Sequence, residues 1–303
     1  MNSNKATVGM ARRKKKSTTI AATVFLLPAI ILMIVYMVYP IIDTFVISAF
    51  DWNGISADRT FVGLKNWKTL LTDGNFWDAF KHNIVVMVMS ILIQLPIGFL
   101  LATFLDAGGR KTKFFKIIWF FPYLMSSVAI AFLFTYALAT SNGIITSLAT
   151  LIRGQKTTVD LLGQNPQALI TVIFVMAWQF TPFYMVYFIA GYGNIDTELY
   201  DAAVVDGATR AQYVKKIALP LMKPIIKTAC TMSLIGSLKY FDLVWNLTGG
   251  GPSGGTELMA TYMYNLSFNQ FKMGYGSCVA AAMFILITAI ALLFQKIFTE
   301  KED

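Results

Sequence analysis

The sequence predicts an all-α protein that crosses a membrane six times, and three observations carry that expectation. Hydrophobic residues make up 56% of the 303 residues and only 14% are charged, with a mean hydropathy of +0.60, a composition far outside the soluble range. Six apolar runs are long enough to cross a hydrocarbon core of about 30 Å, which takes roughly 20 residues of helix. The Lys and Arg residues sit in short segments beside those runs, with no large soluble stretch to carry them.

The runs follow one another in order. Residues 1–17 form a basic N-terminus that closes on Arg12–Lys16, and the first helix is expected over Thr18–Ser48. The apolar part is much longer than the roughly 7–15 residues of a signal-peptide core and ends in no small-x-small cleavage pattern, so it reads as a retained helix. An outer loop over 49–83 mixes aromatics with turn formers in Phe50-Asp-Trp-Asn-Gly54 and Phe61-Val-Gly-Leu-Lys-Asn-Trp67, with Phe76 and Trp77 after Gly74. Aromatics near membrane ends form interfacial belts, and docking of an external partner is the alternative use. Further helices are expected over Ile84–Leu105, Phe114–Ala139, Ala168–Gly191, Pro224–Leu247 and Gly274–Phe298, before a short tail at 299–303.

Basic residues orient the bundle. With both termini cytoplasmic, the inside segments hold six Lys and Arg before the first helix, four at Arg110–Lys116, five at Arg210–Lys227 and two at the C-terminus. The outside segments hold seven of the 25, and Lys239 alone falls within a helix away from its ends. The positive-inside rule therefore puts both termini and the polar segment 192–220 in the cytoplasm.

Several function classes find little material. The net charge of +9 is explained by topology, so nucleic acid is not an expected partner. Cys230 and Cys278 lie in apolar stretches and read as inert thiols. His82, the single histidine, has no metal-ligand cluster near it, so no metal site and no catalytic group is assigned. Gly249–Gly255 is glycine-rich but lacks the Gly-x-x-x-x-Gly-Lys-Ser/Thr order of a nucleotide loop and falls outside; it reads as a flexible outer turn within 248–271.

The polar segment Glu198–Pro220 reads as two short helices about a glycine. Asp196 or Thr197 can cap the first, while Glu198 and Asp201 place negative charge in its early turns. Leu199, Ala202, Ala203 and Val205 supply a compact apolar surface, and Asp206 leads to Gly207, the position for a left-handed C-terminal residue. Thr209 with Gln212 makes a capping box for the second helix, which carries Arg210, Lys215 and Lys216, and Leu219-Pro220 is expected to end it.

Within the fifth run, Lys239 and Asp242 are ionisable residues at membrane depth, which marks a candidate functional site. Helical spacing puts Met232, Gly236, Lys239, Asp242 and Asn246 on one stripe, with Tyr240 and Trp245 beside it. Charged, amide and aromatic groups next to a glycine suit the hydroxyls and apolar ring faces of a sugar. The alternative is that Lys239 and Asp242 neutralise each other. Trp178-Gln-Phe-Thr-Pro182 in the fourth run is a second, weaker polar patch.

The stretch from Glu198 through Ala202, Ala203 and Gly207 to Leu219-Pro220 resembles the Glu-Ala-Ala cytoplasmic motif of membrane subunits in binding-protein-dependent ABC importers, most closely the sugar branch. Phe61–Trp67 resembles that family's first outer loop. Leu247-Thr-Gly-Gly-Gly-Pro252, with Thr261–Phe268, resembles the loop after the penultimate core helix of maltose- and glycerol-phosphate-type subunits, in the form found in the first of two permease partners. One departure stands out: Asp201 replaces the usual Glu.

The resemblance implies a type I importer permease fold with a five-helix transport core over 84–298 and coupling helices that seat on an ABC ATPase pair. ATP and Mg would belong to those subunits, with no cofactor in this chain. The expected partners are a second, non-identical permease, the ATPases, an extracellular or periplasmic sugar-binding protein and the lipid of a bacterial cytoplasmic membrane. In maltose-type subunits the sugar is bound from the part of the helix that carries Gly236–Asn246 here. A secondary carrier or channel is the competing class, but it needs intramembrane carboxylates in related repeats, and the five core runs hold only Asp242. A membrane-embedded enzyme lacks paired carboxylates or Ser/His groupings.

Overall fold

A computed structural model describes residues 23–107 and 112–298. The basic N-terminus with Arg12–Lys16, the pair Arg110 and Lys111, and the tail 299–303 lie outside the described residues.

Among the described residues four helices are long and apolar enough to cross a membrane in one piece. They are α1 (Thr23–Ile47), α3 (Gly74–Ala107), α7 (Gln167–Tyr192) and α13 (Met273–Phe298). α7 is apolar on all sides and is the most buried of the four, as expected of a central helix. Its main neighbour is α3, and Gly98 sets their approach: a Cβ there would meet Tyr184 Cβ at 2.9 Å and the Met185 backbone nitrogen at 3.1 Å. A small residue at the crossing lets the two backbones close up. α1 stands apart: residues 23–40 are exposed, its C-terminal part leans on α13, and only Ile47 of its span is buried.

The other two expected spans are broken. The run Phe114–Ala139 is not one helix but α4 (Lys113–Leu124) and α5 (Ser127–Ala137), bent by 93°. Pro122 sits in the last turn of α4, Met125 is extended, and the Ser126 hydroxyl accepts the Ala129 N–H at 3.2 Å to start α5 afresh. α6 (Ile144–Arg153) follows as a short amphipathic helix. The run Pro224–Leu247 likewise divides into α10 (Lys223–Leu238) and α11 (Asp242–Leu247). Buried Asn83 of α3 holds this break. Its amide donates to the Ser237 and Leu238 carbonyls at 3.1 Å, and its carbonyl accepts the Met259 N–H at 2.8 Å. One side chain thus satisfies two of the carbonyls that a helix ending at membrane depth leaves without partners.

One end of the bundle carries a folded cap. Strands β1 (Phe50–Asp51) and β2 (Thr60–Phe61) pair antiparallel, with Phe50 opposite Phe61. Helix α2 (Lys65–Thr72) follows, and Asn66 donates to the Ser48 and Phe50 carbonyls. Asp73 accepts the Asn75 N–H at the start of α3, and its second oxygen accepts from Tyr262 and Tyr275. The glycine-rich loop is a cross-bonded turn rather than the flexible one expected. Thr256 Oγ1 donates to the Gly251 carbonyl at 2.7 Å and meets Thr248 Oγ1 at 2.7 Å, and Asn165 donates to the Pro252 carbonyl. Helix α12 (Met259–Tyr264) packs on α13 behind it.

Candidate functional site

The opposite end of the bundle carries a knob of two short helices, α8 (Thr197–Val205) and α9 (Arg210–Leu221). The Asp196 carboxylate accepts the Glu198 N–H at 3.1 Å and starts α8. At its far end Gly207 has φ +74°. The Gly207 N–H donates to the Val204 carbonyl and the Ala208 N–H to the Ala203 carbonyl, which is the Schellman arrangement. Thr209 and Gln212 complete a reciprocal capping box for α9.

α9 ends at Leu221, one residue past Pro220 and close to the expected stop, and the chain bends there by 71° into α10. The chain widens to a π-turn over Val214–Ala218, so that Leu219 N–H reaches back to Val214. This moves carbonyls away from the proline ring, which would otherwise crowd the one four residues earlier.

The expected apolar surface of α8 is divided. Ala203 is buried, together with Tyr213, Ala218 and Met222, against Ala102, Phe188 and Tyr192 of α3 and α7. Leu199, Val204 and Val205 are exposed, as are Glu198, Asp201, Ala202 and Asp206 around them and Leu219 and Pro220 on α9.

Arg210 faces into the protein rather than outward. Its guanidinium pairs with Asp106 at the end of α3 and lies 5.2 Å from the ring centres of Tyr200 and Tyr213 and 6.0 Å from that of Tyr192. Tyr192 Oη meets Thr103 Oγ1 at 2.7 Å. Burial pulls the Arg210 pKa down, but the hydrogen bond and charge of Asp106 outweigh it and leave the group more firmly protonated than usual. The knob is therefore fastened to the ends of α3 and α7 by one side chain in a cage of three aromatic rings.

Nearer the middle of the bundle, a hollow of about 480 Å³ opens between α3, α4, α7 and α10, within the usual range of about 300–1,000 Å³ for ligand pockets. Gly236, Lys239 and Tyr240 line it. A Cβ on Gly236 would meet nothing within 4 Å, so the missing side chain leaves the hollow open. The Tyr240 hydroxyl donates to Gln179 at 3.2 Å, and Gln179 donates to Ser127 at 3.4 Å. Of the Trp178–Pro182 patch, Phe180 lines the wall, while buried Gln179 stands behind it, holding Tyr240.

Asp242, Trp245 and Asn246 do not join them. Because the helix breaks after Leu238, the expected stripe is not continuous. Asp242 is exposed at the first position of α11, and Asn246 turns back on the Asp242 carbonyl at 2.6 Å. Trp245 stacks on Phe241 and meets Tyr264 edge-on at 4.7 Å. Nor do Lys239 and Asp242 pair: among the described residues the ion pairs are Lys81–Asp78 and Arg210–Asp106. The sequence reading missed Gln94, Tyr123, Phe183 and Tyr184, which come from other segments and complete the wall. Tyr123 lies 5.3 Å from Phe183 and 6.1 Å from Phe180. The described residues hold no group of three His, Cys, Asp or Glu able to bind a metal.

The family model for the inner membrane component of binding-protein-dependent transport systems matches residues 94–302, which include both the knob and the hollow. This chain belongs to that family. As an inner membrane component it is a membrane-embedded transport permease rather than an enzyme. The probable ABC transporter permease protein YurN of Bacillus subtilis is 34% identical over 92% of this chain and 96% of its own length. The multiple sugar-binding transport system permease protein MsmF of Streptococcus mutans is 29% identical over 90% and 93%. A chain from the solved bacterial alginate ABC transporter, in complex with its alginate pentasaccharide-bound periplasmic protein, superposes with a TM-score of 0.83 at 23% identity, covering 94% of this chain and 96% of that one. At that identity the likeness speaks for the fold, that of a type I importer permease.

Proposed function

We propose that this permease is one of two non-identical membrane subunits of an ATP-driven importer that moves a carbohydrate, an oligosaccharide in the first instance, across a bacterial cytoplasmic membrane by alternating access. The observation that carries this reading is that the same two helices serve both sites. α3 contributes Gln94 to the hollow and Asp106 to the knob, and α7 contributes Tyr184 to the hollow and Tyr192 to the cage around Arg210. A push on the knob must therefore tilt the walls of the hollow, which is what a transporter with no chemistry of its own requires.

In this reading the knob lies in the cytoplasm with both termini, as the distribution of Lys and Arg favours. Exposed Leu199, Val204 and Val205, ringed by Glu198, Asp201 and Asp206, present an apolar centre with an acidic rim for a pair of ABC ATPases, which bring the ATP and Mg. The β1–β2 and α2 cap faces outward, where a sugar-binding protein would deliver cargo. The name of the Streptococcus mutans relative, a multiple sugar-binding system, agrees with the aromatic hollow in pointing to carbohydrate.

The test is Gly207→Pro in the chain coexpressed with its partners. Proline cannot take φ +74°, so the Schellman turn is lost while the membrane helices are untouched. The variant is expected in the membrane at normal level but without copurifying ATPase. An intact complex with cargo-stimulated ATP hydrolysis would rule out the knob as the coupling element.

A further inference from the structure

Lys239 is the one residue in the wall of the hollow that is charged at neutral pH. It stands at the C-cap of α10, where the break in the chain leaves it between two hollows. On one side are Tyr123, Phe180, Phe183 and Tyr240. On the other is a nearly all-apolar recess of about 550 Å³ against α13, walled by Met263, Met283 and Phe284. Among the described residues no carboxylate lies within ion-pair reach of its ammonium. Asp242, three residues on, is exposed at the first position of α11 and makes no ion pair with Lys239. The negative end of the α10 dipole, which favours a cation at that position, is partly taken up by Asn83, whose amide occupies the last carbonyls.

Lys239 is exposed while the hollow is open, but an ammonium enclosed among aromatic and aliphatic side chains when the site closes is costly without a counter-charge. Aromatic rings supply flat apolar faces for pyranose rings but no negative charge. Gln94 and the tyrosine hydroxyls supply neutral donors and acceptors for sugar hydroxyls. The missing element is an anion, and the cargo can bring it.

We propose that the hollow takes a saccharide carrying an acidic group, a uronate carboxylate or a phosphate, which pairs with Lys239 while the rings stack on the Tyr123, Phe180 and Phe183 wall. This rests on the carbohydrate reading above and narrows it. An acidic cargo would turn the unpaired charge into a charge-assisted hydrogen bond, whereas a neutral sugar of the same shape would leave it uncompensated.

The experiment uses the whole transporter, with its partner permease, ATPases and binding protein, in cells lacking other importers. Uptake is measured for three probes: a uronic acid trisaccharide, its carboxyl-reduced neutral counterpart, and a phosphorylated disaccharide. The expected result is uptake of one of the acidic probes at least tenfold above the neutral trisaccharide. Lys239→Met should abolish that preference, and Lys239→Arg should retain it. Which acidic probe is taken up distinguishes carboxylate from phosphate.

Uptake of the neutral probe alone or equal uptake of acidic and neutral probes would overturn the inference and leave the carbohydrate reading standing. So would a Lys239→Met variant, present in the membrane at normal level, that keeps the wild-type preference. Uptake of none of the three would overturn the inference and count against the carbohydrate reading too.

Discussion

The knob and the hollow solve opposite problems with the same two helices. The knob is closed, with both its helices capped, its glycine turn hydrogen-bonded and its single inward cation paired with Asp106. The hollow is open. Gly236 leaves its space unfilled, Lys239 has no carboxylate within reach among the described residues, and the helix bearing both stops at membrane depth. A part that transmits force gains from being rigid, and a part that accepts and releases cargo must keep interactions in reserve.

The sharpest way to break this contrast is to close the hollow. Gly236→Trp should bring uptake down to background without loss of the protein from the membrane, because the side chain would occupy the space the cargo needs. Uptake assays beside a membrane blot check it, and undiminished uptake would show that cargo travels elsewhere.

Loosening the knob is the converse change. Arg210→Met keeps the bulk among the three tyrosines but removes the pair with Asp106. Cargo-stimulated hydrolysis is expected to fall about tenfold, the size of an ordinary coupling free energy of about 1–3 kcal/mol. The pair itself is about one-third exposed, with relative exposures of 28% and 36%, and contributes at most about 1 kcal/mol to stability. Thermal stability should therefore move little while coupling moves much, and equal losses in both would make Arg210 merely structural.

On the side of the hollow away from the knob, Asn83 holds the break. Asn83→Leu leaves the Leu238 carbonyl and the Met259 N–H without this partner, and the Ser237 carbonyl with only weak backbone contacts such as that from the Tyr240 N–H at 3.4 Å. Each orphaned group costs about 1–3 kcal/mol. A lowered melting temperature of the purified protein is expected, and an unchanged one would mean that water or the second subunit satisfies these groups.

The smallest effect belongs to the end opposite the knob. Burial raises the Glu257 carboxyl pKa, against smaller lowering contributions from Thr261 and His82. The sign follows from linkage. A carboxyl that is harder to ionise when folded is most compatible with the fold below its ordinary value of about 4.3, and that stability is lost as pH rises through the raised folded value. Glu257→Gln should flatten this part of the pH–stability curve, as melting curves from pH 4 to 8 would reveal; an unchanged slope would assign it to another group.

How much of each region was legible follows from the range of its interactions. The knob is built from contacts two to five residues apart, so Asp196, Gly207 and the Thr209–Gln212 box could be read directly. Its long-range contacts, Arg210 with Asp106 and Tyr192 and the packing of Ala203 and Tyr213 on α3 and α7, could not, and neither could the π-turn before Pro220. In the hollow, Gly236, Lys239 and Tyr240 were legible as unusual residues in an apolar run. Asp242, Trp245 and Asn246 were placed with them by a helical period that does not survive the break, and nothing within that run announces the break, since Asn83 lies more than 150 residues earlier.

The amino-acid sequence by itself determined that this chain lives in a membrane, how many apolar runs it has, and where its polar knob begins, turns and is capped. All of these depend on hydrophobic length and on hydrogen bonds between near neighbours. Only the tertiary structure decided that two of the runs bend or break, that Arg210 faces inward, and that residues from four separate helices enclose one hollow with an unpaired lysine in its wall. Those outcomes depend on which distant groups satisfy each other where water cannot, and that is settled only when the helices pack.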